Sequence, residues 1–342
     1  MKQTRIKGIY AIICIITMTI LSACGRTDNI SVSPDSTISV VEEENPFDLE
    51  QIENSGAKIE KLYGWGVRNY DRELCEISLD KNELILDLSY NNSGIGFQAG
   101  VLVFIDGIAQ KYSVNGTEDY LVPVDIEDGS EKGKETKIQI KLTPEYGIDG
   151  SEHTLYLGSI EDPEYRVKDA EYSYMQHLQM SVQNTWKLHV NATKGEVSIS
   201  QDCQRVPFLE GVLDTYIYED IDGKTKNKLK NEKIDLFEQD GEILENSGID
   251  GNKKVYLYSA GGTVSKYRIC CMVNNKPYPA FHGSCYADVT LTDKDMAKVE
   301  MDFSREKYEK NSCMYVLFCP YSDNGIPEEN FMWDKSENYT LK

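Results

Sequence analysis

From about residue 58 onward, apolar and polar positions alternate with a period of two over most of the chain. Leu84, Leu86, Leu88 and Tyr90 alternate with Glu83, Asp87 and Ser89, Ile85 being the exception, and this spacing predicts a half-buried strand. VLVFI at 101–105 is apolar on both faces, and the Asp106-Gly107 that follows it, with IAQKYSV beyond, predicts a hairpin. Ile138, Ile140 and Leu142 alternate with Lys137, Gln139 and Lys141, and Leu155 and Leu157 close the set. Short alternating strands separated by turn residues point to an antiparallel β-sandwich.

The same order recurs downstream. Residues 255–258 match 84–88, YRICCMVNNKPYPAF at 267–281 matches VLVFIDGIAQKYSV, KVEMDF at 298–303 matches KIQIKL, and CMYVLFC at 313–319 matches TLYLGS. Strand-to-strand spacings are 18, 36 and 17 in the first set and 14, 28 and 17 in the second, the pattern of a diverged tandem duplication. Between the copies, Leu178, Met180, Val182, Trp186, Leu188 and Val190 fall on one face, opposite Gln179, Ser181, Gln183, Thr185, Lys187 and His189. That reads as one long strand, or two with a kink at Asn184, and sets the start of the second module near 170. EVSIS at 196–200 and VLDTYIY at 212–218 continue the β pattern, and the Lys-rich 224–233 reads as a loop or short helix. The expected fold class is all-β: two antiparallel β-sandwich modules in tandem, 58–165 and 170–342, the second enlarged around a repeat-related core at about 250–342. In strand order, and in the stretch 150–157 before the closing strand, both modules resemble the immunoglobulin-like or fibronectin-like sandwiches of bacterial surface proteins.

Residues 1–23 differ in kind. MKQTRIK carries Lys2, Arg5 and Lys7 without an acid, 8–21 is almost wholly apolar, and Ser22 and Ala23 are small, which are the three regions of a signal peptide. An apolar run of about 14 residues falls short of the roughly 20 that span a bilayer core. Leu21-Ser22-Ala23-Cys24 resembles the lipobox of bacterial lipoproteins. The resemblance implies a diacylglyceryl thioether on Cys24, cleavage after Ala23 and acylation of the new α-amino group, with the protein held at the outer face of the cell membrane. Each buried methylene contributes about 0.8 kcal/mol, and two chains anchor durably where one does not. The competing reading is an ordinary secretory signal with a coincidental cysteine. Residues 24–57, rich in Ser, Thr, Asn, Asp, Glu and Pro, read as a flexible acidic tether whose r.m.s. span is roughly 30 Å.

The net charge of −21 would become more negative on losing the cationic leader, and such a surface repels nucleic acid. Seven cysteines follow Cys24: Cys75, Cys203, Cys270, Cys271, Cys285, Cys313 and Cys319. Cys313 and Cys319 sit six apart on one expected strand, roughly 20 Å, too far to bridge. A bridge from Cys270 or Cys271 to Cys313 or Cys319 stays open beside the alternative of small buried thiols. There is no C-x-x-C, no metal site is expected, and no cofactor is implied. His153, His177, His189 and His282 lie in no hydrolase or metalloprotease signature, so an enzyme is not expected. The acidic turns with Asp125, Glu127 and Asp128, and with Glu219, Asp220 and Asp222, offer calcium ligands or simply solvated turns. The second is not an EF-hand, since Tyr218 and Leu229 occupy its first and twelfth ligand positions. Tyr63, Trp65, Tyr256 and Tyr258 are candidate binding aromatics, able to stack on sugars or anchor an interface. The sequence thus points to a membrane-anchored extracytoplasmic binding or scaffolding module whose partner is an envelope protein or glycan. A cell-wall or carbohydrate-acting hydrolase with a site in 170–342, and an accessory subunit of an envelope transporter or other membrane machine, are the alternatives.

Overall fold

The computed structural model describes residues 61–342 except 71–74, 80–82, 145–151, 168–177, 183–184, 191–196, 220–223, 231, 245–247, 263–265, 305 and 321–332. Cys24, the tether, His177, Asn184, Asp220 and Asp222 lie outside the described residues. All described residues belong to one compact unit, Gly56–Lys342. Among them no helix is long and apolar enough to cross a membrane.

The first sandwich is built from β1 (Tyr63–Val67), β2 (Glu76–Leu79), β3 (Leu84–Asn92), β4 (Phe97–Ile105), β5 (Ile108–Ala109), β6 (Tyr112–Val114), β7 (Thr117–Asp119), β8 (Val124–Ile126), β9 (Lys134–Leu142), β10 (Glu152–Glu161), β11 (Met180–Val182) and β12 (Trp186–Val190). One sheet runs β1-β3-β9-β6-β7 and the other β2-β12-β10-β4-β5, with β8 paired to β4 and β11 to β10. Pairing is antiparallel apart from β2 with β12. The alternation in the sequence becomes the core: Leu84, Leu86 and Leu88 of β3 and Ile138, Ile140 and Leu142 of β9 face Val101, Val103, Ile105, Leu155 and Leu157. Asp106 and Gly107 form the two-residue hairpin turn, both at positive φ (50° and 78°), as Asp-Gly favours.

A connecting segment follows, with β13 (Ile199–Ser200), β14 (Gln204–Val206), the helix α1 (Val212–Tyr216), β15 (Ile217–Glu219) and β16 (Thr225–Asn227). VLDTYIY was expected as strand, but its first five residues are helical. Val212 and Tyr216, four apart, lie on one helix face and pack with Leu209 over the outer face of the next sandwich. The second sandwich comprises β17 (Lys233–Gln239), β18 (Glu242–Ile243), β19 (Gly248–Ile249), β20 (Val255–Gly261), β21 (Lys266–Val273), β22 (Lys276–Pro277), β23 (Tyr286–Thr290), β24 (Met296–Met301), β25 (Ser312–Pro320), β26 (Asp334–Lys335) and β27 (Tyr339–Leu341). Its sheets run β14-β24-β20-β17-β18 and β13-β23-β21-β25-β27-β19, with β22 and β26 on β21 and β25.

The central strand pairings repeat. β3–β9 recurs as β20–β24, and β4–β10 as β21–β25. β1 lies on β3 as β17 lies on β20, β10 takes β11 and β12 as β25 takes β26 and β27, and the parallel β2–β12 pair recurs as β19–β27. The copies therefore span 63–190 and 233–341. The boundary expected near 170 falls later, because residues 180–190 complete a sheet of the first sandwich, and the second copy opens at β17 rather than near 250.

The duplication extends to individual hydrogen bonds. Asp106 Oδ1 accepts the Thr154 amide at 2.8 Å, and Asn274 Oδ1, in the equivalent turn, accepts the Cys313 amide at 3.0 Å. The next side chain joins in both copies: His153 Nδ1 lies 2.5 Å from Asp106 Oδ2, and Asn274 Nδ2 donates to Ser312 Oγ at 2.9 Å. Asp106→Ala removes the acceptor of a buried strand amide, and its expected cost is about 1–3 kcal/mol. Asp106→Asn, the residue the second copy uses, should retain most of the stability. Urea unfolding of both variants checks this, and equal losses would refute the capping role.

Residues 178–190 alternate cleanly yet serve two cores. Leu178, Met180 and Val182 face a layer outside the first sandwich, whereas Trp186 and Leu188 enter its core. The registers of β11 and of β12 on β10 differ by one residue, and one extra residue inverts side-chain parity. β26 and β27 shift by one on β25 in the same way.

That outer layer explains why VLVFI and CMYVLFC are apolar on both faces. Leu102, Phe104, Tyr156 and Ile160 of the first sandwich pack against Cys270, Met272, Tyr315 and Cys319 of the second, with Trp333 between. Each copy presents the same face, so the contact has the self-complementary character of an isologous dimer within one chain. Hydrogen bonds cross it: Arg268 Nη1 to the Asp106 carbonyl at 3.0 Å, Asn275 Nδ2 to the Pro163 carbonyl at 2.8 Å, and Tyr156 Oη to the Pro320 carbonyl. The result is four stacked sheets and three apolar layers. The bridge left open between Cys270 or Cys271 and Cys313 or Cys319 is not made, and all seven cysteines are free thiols. Cys270 and Cys271 lie opposite Leu317 and Val316 on the neighbouring strand, not opposite another cysteine. Burial pushes the Cys270 and Cys271 thiols well up, and that of Cys313 to about 12, so the thiolate that exchange requires is scarce.

Candidate functional site

β13 pairs with β23 in one sheet of the second sandwich, and β14 pairs with β24 in the other. Residues 201–204 therefore cross from sheet to sheet along the sandwich's open side, and Cys203 packs against the core there. Arg205 pins the crossing by donating to Thr290 O and Asp295 Oδ1, and to Thr292 Oγ1 at 2.8 Å. Against this segment lies a groove of about 540 Å³. Its floor is Tyr256 of β20 beside Lys298 and Glu300 of β24, and its far wall is His282.

The floor is organised by charge and ring contacts. Lys298 Nζ stands 3.9 Å from the Tyr256 ring centroid and 5.2 Å from that of Tyr258, and its bond to the Tyr258 hydroxyl pushes its pKa up. The Tyr258 hydroxyl donates to Glu238 Oε2 at 3.0 Å, and Glu300 accepts Lys254 Nζ at 2.8 Å. His282 occupies a tight turn at φ 50°, between Phe281 and Ser284, which exchange backbone hydrogen bonds of 2.9 Å. Its Nε2 lies 3.8 Å from Asp202 Oδ2, beyond hydrogen-bond reach. A smaller recess of about 240 Å³, at Glu83, Lys111, Ser113, Glu118 and Lys141, occupies a related place on the first sandwich, where β9 is flanked by β6 of its own copy.

The four aromatic candidates separate. Trp65 is buried, stacked on Tyr90 at 5.9 Å, with Nε1 donating to Ser181 Oγ at 2.6 Å. Tyr63 is half-buried against Phe97 and donates to Glu161 Oε1 at 3.0 Å. Tyr258 is buried beneath the connecting segment. Trp65 and Tyr258 thus serve packing, contrary to the surface role considered for them: Trp65 lies in the core between the two sheets of the first sandwich, and Tyr258 lies between its sheet and the connecting segment. Tyr256 alone of the four lines the groove. Lys298 and Glu300 are the polar positions of the alternating 298–303 strand, whereas Gln201, Asp202 and Gln204 carry no periodic or motif signal. Only the crossing of 201–204 between sheets brings them together.

Although Arg205 pulls the other way, burial pushes the Cys203 thiol pKa up, opposite to the shift that activates a cysteine nucleophile. In the acidic turn at 125–128, Asp128 Oδ1 accepts Ser130 Oγ at 2.5 Å and Ser130 N at 3.0 Å, which holds its carboxyl below the usual range. Among the described residues no group of three or more His, Cys, Asp or Glu side chains is placed to hold a metal ion.

No family model matches the sequence, and no curated protein matches it. Among the solved structures with weak similarity are three proteins or complexes of bacterial pili and fimbriae. The CsuC-CsuE chaperone-tip adhesion subunit pre-assembly complex of Acinetobacter baumannii pili is 11% identical, with 76% of this chain and 93% of that chain covered and a TM-score of 0.19. The class 5 fimbriae chaperone CfaA is 11% identical over 80% and 98%, with a TM-score of 0.17. The CupB6 tip adhesin of Pseudomonas aeruginosa is 10% identical over 83% and 96%, with a TM-score of 0.18. Likeness at this level carries no argument, and the fold rests on the chain's own strand pairing.

Proposed function

We propose that this chain is a lipid-anchored extracytoplasmic binding module, tethered through Cys24 and presenting the 201–204 groove to an envelope component. The groove carries the reading. One side of it is a connecting segment that neither repeat requires, the rest is a sheet of the second sandwich, and its polar side chains converge without an activated nucleophile. Such an arrangement suits recognition better than turnover. The lipobox-like Leu21-Ser22-Ala23-Cys24 supports the anchor, and the acidic 24–57 segment gives it reach.

Two measurements test the two halves of the reading. Cys24→Ser should move the protein from the membrane to the soluble fraction and abolish labelling by a radioactive fatty acid, since two acyl chains supply the binding energy. Unchanged membrane retention would falsify the anchor. For the groove, hydrogen exchange on the acylated protein should slow at 201–204 and in β24 when fractionated cell-envelope glycans and proteins are added. If no fraction protects those residues, the binding reading fails.

A further inference from the structure

We infer that the groove takes an uncharged saccharide chain. The inference rests on the binding reading above and names its ligand class. The lining holds two rings, the half-buried Tyr256 and the exposed His282, and one small thiol, Cys203, but no Leu, Ile, Val, Met or Phe, so an acyl tail or an apolar peptide finds no complementary surface. An anionic polymer would approach the carboxylates of Asp202 and Glu300, while the groove's lysine is engaged by the Tyr256 and Tyr258 rings. A cation would find Glu300 already paired with Lys254. Amide side chains at Gln204 and at Gln201, whose Nε2 also donates to Asp288 Oδ2 at 3.3 Å, and carboxylates at Asp202 and Glu300 match a ligand whose groups both donate and accept hydrogen bonds. Sugar hydroxyls do both: they accept from amide N–H and donate to carboxylate. A cleft of about 540 Å³ lies within the roughly 300–1,000 Å³ range of ligand sites, and its openness to solvent suits a chain rather than a single sugar.

The test is calorimetric titration of the full acylated protein with the trimers of N-acetylglucosamine and of glucose. Asp202→Ala and Gln204→Ala alter exposed side chains and should leave folding intact, and Glu242→Ala is a remote control. At least one trimer should bind, at least tenfold more weakly to both groove variants and unchanged to Glu242→Ala. Binding that both groove variants leave unaltered overturns the inference. So does the absence of trimer binding when a polyglycerol phosphate or an acidic or basic peptide protects 201–204 from exchange, although the binding reading then stands. If none of these probes protects the groove or binds, the saccharide inference is again refuted, and the envelope-fraction experiment decides the binding reading separately.

Discussion

Trp333→Ala should lower the unfolding free energy by about 3–5 kcal/mol, the cost of removing a large buried ring from a filled core. Trp333 is 2% exposed and lies between the sandwiches, with Phe104 at 5.3 Å and Tyr156 at 5.8 Å between ring centroids. Both partners belong to the first sandwich and Trp333 to the second, so the lost contacts are those that join the copies. The melting temperature should fall by about 8–15 °C, and the calorimetric transition should broaden or divide as the copies begin to unfold separately. A second variant separates this from general damage. At Gly158, on β10, an added Cβ would come within 2.5 Å of Trp333 Cζ2. Gly158→Ala should therefore destabilise the wild type, yet cost little or even stabilise in the Trp333→Ala background, where it fills vacated space. Additive losses, or a Trp333→Ala effect below about 1 kcal/mol, would remove Trp333 from its place as the joint.

The order of strands in both copies was legible because each strand has one face to bury, and period-two alternation marks that face. The middle layer was less so. VLVFI and CMYVLFC announced burial on both sides, but nothing local says that each buries its second face against the other. The boundary near 170 failed for a related reason: 178–190 alternates as any edge strand does, and only hydrogen bonding to β10 and β2 assigns it to the first sandwich. The candidate site was almost invisible. Tyr256 stood out as an aromatic on the outer face of a strand, but Gln201, Asp202 and Gln204 are ordinary connector residues until the chain crosses between sheets. A site assembled by topology leaves no spacing in the sequence.

Asp235→Leu should destabilise the second sandwich by about 3 kcal/mol, while the double variant Lys233→Met/Asp235→Leu should return close to wild type. Lys233 is 7% exposed, with Nζ bonded to Asp235, 3.2 Å from Asp334 Oδ2 and 3.8 Å from the Phe318 ring centroid. Asp334 is 58% exposed, whereas Asp235 is 15% exposed and supplies the buried countercharge. Removing one member strands a desolvated ion, at about 3–5 kcal/mol, but replacing both with apolar groups of similar size removes the desolvation cost together with the attraction. The first copy supports the second half of this argument. At the equivalent place on β1 it carries Trp65, buried opposite Tyr90, while Lys233 lies opposite Gly261, so the position accommodates an apolar side chain. Linkage supplies the second measurement. Burial lowers the Lys233 pKa, but the carboxylates of Asp235 and Asp334 outweigh it and hold the net value above the ordinary 10.4 or so. A lysine raised in the fold stabilises fully below its unfolded pKa and loses that contribution as pH climbs past about 10.4 and through the folded value. Buried tyrosines such as Tyr90 and Tyr315, whose pKa values burial raises, also weaken the fold at high pH, but equally in both proteins. The difference in unfolding free energy between wild type and double variant should therefore be flat from pH 6 to 9 and shift in favour of the variant above about 10.4. A flat difference at all pH values would mean that Lys233 is not held by its carboxylates.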